Sequence, residues 1–227
     1  MRPRVSVVIP AFDRERYLPE AIASVQAQRL PGVEIVVVDD GSSDATAAAA
    51  VGFADVVCLR RPHAGAAAAR NAGVAAARGE LLAFLDSDDL WTPGALRTLT
   101  AVLDERRDVD LGFGLVEEFV SPELGEEEGG RLLPAAGPVP GYCAGAMLAR
   151  RAAFSSVGPF DEGLRVGEFV DWIARARERG LRSHVVDEVV LRRRLHSGNL
   201  GRGDRDRRRD YVRLVKAGLD RRRSGER

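Results

Sequence analysis

Runs of consecutive apolar residues alternate, over the first hundred positions, with segments in which apolar residues recur every three or four positions. Consecutive β-branched and aliphatic residues are typical of strands buried on both faces, and the wider spacing is typical of helices packed on one face. Four runs are predicted as strands, at residues 4–10, 33–38, 55–59 and 81–85. The helices that follow them are predicted to begin near Asp13, at residues 42–44, at Gly65 and at Thr92.

Two of these helix starts carry a residue suited to capping. Asp13 precedes the first apolar stripe, and an aspartate there can accept hydrogen bonds from the free N–H groups of the first turn. Thr92 is followed by Pro93, and proline is favoured at the first helical position. We therefore expect Asp13 and Thr92 to cap the first and fourth helices.

The second half of the chain has a less regular pattern. Residues 121–141 are rich in glycine, proline and glutamate and are predicted as a loop. Strands are predicted at 109–120 (one strand or a pair), at 142–148, near 183–186 and at 189–195. Helices are predicted at 169–179 and, as an amphipathic helix, at 205–222.

Four βα units in about 100 residues predict an α/β fold, a Rossmann-like and mostly parallel sheet with helices on both faces. In such sheets ligands bind beyond the carboxyl ends of the strands. Polar residues follow three of the predicted strands, and further polar residues lie on the third helix: Asp13, Asp39, Asp40, Arg70, Asn71 and the acidic residues 86–89. The pattern therefore predicts a binding site at one edge of the sheet.

Composition agrees with a single globular domain, since 45% of the 227 residues are hydrophobic and 30% are charged. The formal net charge is zero, which gives no indication of a nucleic-acid partner. Charge is uneven, however, because residues 202–227 carry a net +6 and residues 1–201 a net −6. No apolar run is long enough to span a bilayer, and the start of the chain does not resemble a signal peptide. With only Cys58 and Cys143 as cysteines, we expect a cytoplasmic protein.

Several common enzyme signatures are absent from the sequence. Lys216 is the only lysine and lies outside any phosphate-binding loop motif. The chain has neither a dinucleotide-binding glycine motif nor a nucleophile-elbow serine, and its cysteines and histidines lack zinc-site spacings. These absences direct attention to the acidic residues.

Asp86 and Asp88 alternate along an extended segment, so their carboxylates are expected to face the same way. Mg²⁺ and Mn²⁺ prefer oxygen ligands and often complete their coordination with substrate phosphates. The alternative is a solvated turn that caps the next helix. Because the cluster follows a buried strand of a parallel sheet, the pattern favours a cation and phosphate site.

Four stretches, at residues 6–13, 37–44, 69–73 and 84–93, resemble the motifs of family 2 glycosyltransferases in their order and spacing. Residues 157–162 are similar to the acceptor-side Gly-Phe-Asp-Glu segment of that family. The resemblance covers residues 5 to about 199 and implies the GT-A fold. It also implies that a sugar moves from a nucleoside-diphosphate sugar to an acceptor hydroxyl, with a divalent metal, Mn²⁺ or Mg²⁺, and with inversion.

The resemblance also implies roles for individual residues. The nucleotide-sugar site would consist of Pro10, Ala11, Phe12, Asp13, Asp39, Arg70 and Asp86. Within it, Asp39 would accept a hydrogen bond from the base, and Asp86 would face the ribose or the sugar. Asp88 would bind the metal, and His196 would bind the metal or the diphosphate unless it is structural. No role is assigned to His63 or His184.

The family's catalytic base is an aspartate at a position that Phe169 occupies in this chain. Glu168 and Asp171 stand three residues apart on one helical face, so either could accept a proton from an acceptor hydroxyl. Alternatively, both could stabilise the start of a helix through their negative charge. If neither acts as the base, the enzyme would retain configuration or be inactive.

Domain boundaries follow from the resemblance: a glycosyltransferase domain at 1–201, with a nucleotide-sugar half at 1–105 and an acceptor half at 106–201, and a basic tail at 202–227. The acceptor is expected to be a small molecule, a saccharide or a peptide. The tail could pack on its own domain, contact a membrane surface or an acidic acceptor, or form a homodimer. Two alternative functions are a nucleotidyltransferase of similar fold and a non-catalytic nucleotide-sugar-binding module.

Overall fold

The structure of the chain is a computed structural model that describes residues 2–125, 129–130 and 132–198. The predicted helix at 205–222 and the basic tail at 202–227 lie outside these residues. The first half contains the four predicted βα units and one short additional strand. Their bounds are β1 (Val5–Ala11), α1 (Leu18–Gln26), β2 (Val33–Asp39), α2 (Thr46–Val51), β3 (Val56–Arg60), α3 (Ala66–Ala76), β4 (Leu81–Phe84), β5 (Leu90–Trp91) and α4 (Ala95–Glu105).

In the described part of the second half, four more strands join the same sheet and two helices pack against it. They are β6 (Leu111–Val120), β7 (Val139–Pro140), β8 (Met147–Arg150), α5 (Arg151–Val157), α6 (Glu168–Glu178) and β9 (Ser183–Leu195), with a 3₁₀ turn at Ala144–Ala146 before β8. The strand order is β3-β2-β1-β4-β8-β6-β9-β5, and β7 pairs with β6. Strands β3, β2, β1 and β4 are parallel, β8 is antiparallel to both of its neighbours, and β9 is parallel to β6.

Alternate residues of β1 pack into different layers, as the period of a strand requires. Val7 and Ile9 belong to a core with residues of α1 and α4, whereas Val8 belongs to a second core with residues of α3, α5 and α6. All three side chains are fully buried. Helices therefore cover both faces of the sheet, as the continuous apolar runs predict.

Both predicted caps are wrong, because tertiary contacts use the capping side chains. Helix α1 begins at Leu18, and the Asp13 Oδ1 atom accepts a hydrogen bond from the Ser43 N–H at 2.8 Å, which ties the Asp13 side chain to the loop after β2. Helix α4 begins at Ala95, and the Thr92 hydroxyl donates to the Val189 carbonyl at 2.5 Å.

Three predictions for the second half change in detail. The region at 109–120 forms a single strand, β6, and the two strands predicted within 183–195 are one continuous strand, β9, with register irregularities against β6. Residues 142–148 contain the 3₁₀ turn and the first half of β8. Within the described part of the chain, no helix has the length and apolar character needed to cross a membrane.

Candidate active site

The carboxyl ends of β1 and β2 lie at the same level, because Ala11 and Asp39 are partners in the parallel register. Phe12, the next residue after β1, is 40% exposed, whereas Asp39 is fully buried. The Asp39 Oδ1 atom accepts a hydrogen bond from the Ser42 N–H at 3.0 Å. Its Oδ2 atom lies 3.2 Å from the Arg60 Nε but accepts no hydrogen bond from the described residues. The Asp39 Oδ2 atom therefore has unused acceptor capacity and is buried at the carboxyl end of β2.

The segment after β1 is tied to the loop after β2. Pro10 and Ala11 are buried at the end of β1. Asp13 adopts a positive φ of 50°, and its Oδ1 atom accepts a hydrogen bond from the Ser43 N–H at 2.8 Å. The structure thus brings Pro10, Ala11, Phe12, Asp13 and Asp39 together at one edge of the sheet.

His63 packs against Phe12, although no role is predicted for this histidine from the sequence. The ring centroids are 4.1 Å apart, and the His63 Nδ1 lies 2.9 Å from the Asp40 Oδ2. The same Asp40 carboxylate accepts a hydrogen bond from the Gly65 N–H at 2.7 Å, which holds the loop before α3 in place. No motif around His63 indicates this contact, which depends on the packing of two sequence-distant loops.

Asp88 and His196 are adjacent although 108 residues separate them in the chain. The Asp88 Oδ2 lies 3.0 Å from the His196 Nε2 and 3.4 Å from the Arg14 Nε. Burial opposes ionisation of Asp88, but the His196 hydrogen bond and the charge of Arg14 outweigh it and lower the pKa of that carboxyl. His196 is buried, and its Nδ1 accepts a hydrogen bond from the Gly198 N–H at 3.1 Å.

Asp89, the next residue, connects the acidic loop to β9. Its side chain is buried, and its Oδ1 accepts a hydrogen bond from the Arg194 N–H on β9 at 2.8 Å. The Arg194 Nε in turn donates to the Asp88 carbonyl at 2.9 Å. Burial, together with the charges of Asp88 and Asp86, raises the pKa of Asp89 well above its usual value. These contacts fix the acidic loop against β9.

Arg70 on α3 joins two of the predicted site residues. Its guanidinium is buried, pairs with the Asp86 Oδ1 at 2.5 Å and donates to the Glu168 carboxylate at the start of α6. Burial opposes the charge on Arg70, but the two carboxylates raise its pKa further above the usual range. The Arg70 guanidinium therefore bridges Glu168 and Asp86, and Asp86 follows the carboxyl end of β4.

Asp171 faces a different set of partners. It pairs with the Arg175 Nε at 2.7 Å, and the Arg175 guanidinium also donates to the carbonyls of Val157 and Pro159 at 3.0 and 2.7 Å. Asp171 thus supports the segment that precedes α6. It is not joined to Asp86 by Arg70 as Glu168 is.

Phe169 does not take over the position of a base. It is 8% exposed and belongs to the core between the sheet and α6. Its ring packs with Trp172 and Phe113, at centroid distances of 6.4 and 6.5 Å. The aspartate expected at this position is replaced by a side chain that stabilises the core.

Residues 143–145 lie beside the acidic cluster. Burial, with the charges of Asp86 and Asp89, raises the pKa of the Cys143 thiol to about 11. The Trp91 indole N–H, two residues after Asp89, donates to the Gly145 carbonyl at 2.8 Å. The sequence gives no sign of this proximity, because the sheet alone places β8 next to β4.

The described side chains supply two of the ligands that a divalent cation needs. Across residues 2–125, 129–130 and 132–198, no group of three or more His, Cys, Asp or Glu side chains is arranged to hold a metal ion. Asp88 offers one carboxylate oxygen, and the His196 Nε2, 3.0 Å away, becomes a ligand when a cation displaces the proton that it shares with Asp88. Two protein ligands suit Mg²⁺ or Mn²⁺ when substrate phosphates and water supply the others.

Comparisons with known proteins agree with this architecture. The family model described as Glycosyl transferase family 2 matches residues 6–158. An uncharacterized glycosyltransferase of Rickettsia typhi is 29% identical over 209 residues, which are 86% of this chain and 64% of the relative. The Escherichia coli UDP-Glc:alpha-D-GlcNAc-diphosphoundecaprenol beta-1,3-glucosyltransferase WfgD is 32% identical over 131 residues, 52% of this chain and 51% of that protein.

Among solved structures, Staphylococcus aureus TarS 1–349 in complex with UDP-GlcNAc superposes with a TM-score of 0.70 and 22% identity, over 86% of this chain and 60% of that one. The chain therefore spans about three fifths of the length of the matched TarS structure and 64% of the Rickettsia relative. This likeness confirms the predicted fold class, an α/β fold of GT-A type. Since the family model covers most of the chain, the protein belongs to glycosyl transferase family 2.

Proposed function

We propose that the protein transfers a sugar from a nucleoside-diphosphate sugar to an acceptor hydroxyl. The observation that carries the proposal is the bridge from Asp86 through Arg70 to Glu168, next to the Asp88 and His196 pair. The bridge supports a base next to the residues expected to hold the donor. A carboxylate next to a phosphate-binding edge is what displacement at an anomeric carbon requires.

The donor base would stack on Phe12 and bind Asp39, with Pro10, Ala11 and Asp13 forming the end of β1 around it. Asp39 Oδ1 already accepts a hydrogen bond from Ser42, so Oδ2 is the atom with unused capacity. One such acceptor matches the single imide N–H of uracil, whereas guanine presents two neighbouring donors. The WfgD name contains UDP-Glc and the TarS complex contains UDP-GlcNAc, which supports a uridine diphosphate sugar.

Asp88 and His196 would hold Mn²⁺ or Mg²⁺. When bound, the cation would neutralise negative charge on the departing diphosphate. Arg14 keeps the Asp88 carboxylate ionised, and the fixed loop at Asp89 keeps it in place. Arg70 supplies a second positive charge on the Asp86 side of the site.

Glu168 would act as the base, with Arg70 orienting its carboxylate. The acceptor oxygen forms a bond to the anomeric carbon while the bond from that carbon to the diphosphate oxygen breaks. The acceptor proton moves to the Glu168 carboxylate, and the electron pair leaves with the diphosphate. Attack from the face opposite the leaving group inverts the anomeric centre.

Release of UDP from UDP-glucose and UDP-GlcNAc, with Mn²⁺ and a panel of saccharide acceptors, tests the proposal. Asp88→Asn should lower UDP release at least 100-fold, and Asp108→Asn, at a half-exposed surface carboxylate, should leave it unchanged. Release of pyrophosphate from a nucleoside triphosphate with a sugar phosphate would instead support a nucleotidyltransferase. Binding of UDP-sugar without turnover on any acceptor would support a non-catalytic binding module.

The remaining expectations stay predictions. They are the division of the domain at residue 105, the acceptor class, a cytoplasmic location, a homodimer, and membrane contact by the tail at 202–227. The tail lies outside the described residues.

A further inference from the structure

Tyr17 at the start of α1 covers the imidazole that contacts Asp88. The ring centroids of Tyr17 and His196 are 4.8 Å apart, at an interplanar angle of 36°. The Nε2 of the same imidazole lies 3.0 Å from the Asp88 Oδ2. Tyr17 therefore restricts the orientations in which His196 can face Asp88.

The Tyr17 ring is itself fixed from two directions. Its hydroxyl donates a hydrogen bond to the Glu123 carboxylate, and that carboxylate also accepts a hydrogen bond from the Ser121 Oγ at 2.5 Å. The Arg194 guanidinium lies 5.0 Å from the ring centroid and pairs with Glu20 on α1 at 2.7 Å. Burial and the Glu123 hydrogen bond raise the pKa of Tyr17, so its hydroxyl stays protonated and remains a donor at neutral pH.

These contacts connect the start of the predicted loop at 121–141 to the acidic loop at 86–89. Residues 121–125 follow β6 directly, and Glu123 contacts the Tyr17 ring that packs on His196. Outer contacts that orient a ligating histidine typically change metal affinity 10- to 100-fold when removed. The packing of the Tyr17 ring on His196 would change metal affinity in the same way, by fixing the orientation of the imidazole.

We propose that Tyr17 is a positioning residue for the cation site, holding the His196 imidazole toward Asp88. The inference rests on the proposed function, since that function assigns the cation to Asp88 and His196. Tyr17 does not touch the cation or the substrate; it acts through His196. The ring provides the positioning, and the hydroxyl anchors the ring to Glu123.

The test measures Mn²⁺ affinity directly, without turnover. Electron paramagnetic resonance of free Mn²⁺ gives the Kd of the protein in saturating UDP for the wild type and four variants. Tyr17→Leu should raise the Kd about 10-fold, whereas Tyr17→Phe, which keeps the ring, should stay within about threefold of the wild type. Tyr142→Leu is the matched control, because Tyr142 packs on Phe113 and should leave the Kd unchanged.

The Asp88→Asn variant distinguishes a failure of the Tyr17 role from a failure of the proposed cation site. Loss of Mn²⁺ binding in Asp88→Asn with a wild-type Kd in Tyr17→Leu would overturn the role of Tyr17 alone. A wild-type Kd in Asp88→Asn would contradict the cation site of the proposed function. If Tyr17→Leu does not fold, Tyr17→Met provides an apolar replacement without a ring and is expected to show the same rise in Kd.

A spectroscopic signature gives a second readout. The chain has three histidines, so the ¹⁵N signals of the His196 ring can be distinguished by comparison with a His196→Gln variant. In the metal-free wild type the Gly198 N–H occupies Nδ1, which favours the proton on Nε2, where it donates to Asp88 until a cation displaces it. In metal-free Tyr17→Leu the loss of the ring should weaken this hydrogen bond and shift the His196 Nε2 signal, and an unchanged His196 spectrum would count against positioning by the ring.

Discussion

Glu168 and Asp171 differ in their partners although they are three residues apart on α6. Glu168 contacts Arg70, which also holds Asp86, whereas Asp171 contacts Arg175 and, through it, the Val157 and Pro159 carbonyls. Helical spacing places both carboxylates on one face, so the sequence could not separate them. The separation depends on Arg70, which is 98 residues from Glu168 in the chain.

We predict opposite effects when these two carboxylates are neutralised. Glu168→Gln should lower kcat for UDP release at least 100-fold, because the acceptor hydroxyl loses its base. Asp171→Asn should retain turnover but lower the free energy of unfolding by about 1–3 kcal/mol, because the Arg175 guanidinium loses its carboxylate partner. Steady-state kinetics and urea unfolding of both variants check this. Loss of turnover in Asp171→Asn with full activity in Glu168→Gln would reverse the assignment.

The Cys143 thiol gives a pH-dependent reporter of the acidic cluster. Burial and the charges of Asp86 and Asp89 raise its pKa to about 11, so the thiolate is only about 0.1% populated at pH 8, against about a quarter for an ordinary thiol. In a Cys58→Ser variant, alkylation of Cys143 by iodoacetamide should therefore be slow at pH 8. Its rate should rise about tenfold per pH unit from pH 7 to 9.5 without a plateau. A plateau near pH 9 would show an ordinary thiol.

At the residue scale, the sequence located the acids that follow strands. Asp39, Asp86 and Asp88 could be predicted because each follows a buried run of a parallel sheet. Arg14, Tyr17 and His63 could not, because their contacts join loops whose relative positions depend on the packed sheet. The replacement of the expected aspartate by Phe169 was visible, but its burial against Phe113 was not.

At the element scale, the close approach of α3 to the sheet depends on a glycine. A Cβ atom at Gly73 would lie 2.3 Å from the Val8 Cγ1 and 3.2 Å from the Val38 Cγ2. The helix carries Arg70 one turn earlier, so its distance from the sheet also sets the position of the guanidinium. Gly73 therefore matters for both stability and the site.

We predict that Gly73→Ala lowers the free energy of unfolding by a net of about 1–2 kcal/mol. Overpacking of β1 and β2 costs about 1–3 kcal/mol, which exceeds the helix-propensity gain of up to about 1 kcal/mol. Gly52→Ala is the control, since a Cβ there meets its nearest atom, the Ala49 carbonyl oxygen, at 3.4 Å. Urea unfolding should show Gly52→Ala at or slightly above wild-type stability. Equal stability of the two variants would mean that α3 can move away from the sheet without cost.

The strands were predicted best, because their apolar runs are continuous. The helix starts were predicted worst, because the side chains expected to cap them form tertiary hydrogen bonds instead. The strands β1, β2, β3 and β4 follow the runs closely, because burial on both faces leaves a clear pattern. The predicted starts of α1 and α4 were wrong because Ser43 and Val189, distant in sequence, provide the partners of the Asp13 and Thr92 side chains. Cap residues indicate a helix start only when no tertiary partner is available.

At the scale of the whole molecule, one sheet carries both predicted halves. Strand β8 inserts antiparallel between β4 and β6, so the strands of the predicted nucleotide-sugar half and those of the predicted acceptor half share a hydrogen-bonded layer. Parallel βα units predicted the order of the first half. The order of the second half could not be predicted, because β6 pairs with β9 across more than 60 residues and no local pattern specifies that register.

Because the proposed donor site lies at the ends of buried strands, nucleotide binding should stabilise the whole fold. Ligand at 100 times its Kd contributes about 2.7 kcal/mol, which corresponds to a rise in Tm of about 5–10 °C for a chain of this size. UDP with Mn²⁺ should give this rise in Tm, and GDP with Mn²⁺ a smaller one.

The Asp39→Asn variant tests whether Asp39 binds the base. Its amide can keep an oxygen toward the Ser42 N–H only by directing its NH₂ group at the imide N–H of uracil, so two hydrogen-bond donors would face each other. The UDP shift, measured by calorimetry relative to each variant without ligand, should fall by more than half in Asp39→Asn. Equal shifts with UDP and GDP, or an undiminished UDP shift in that variant, would contradict the role of Asp39 in reading the base.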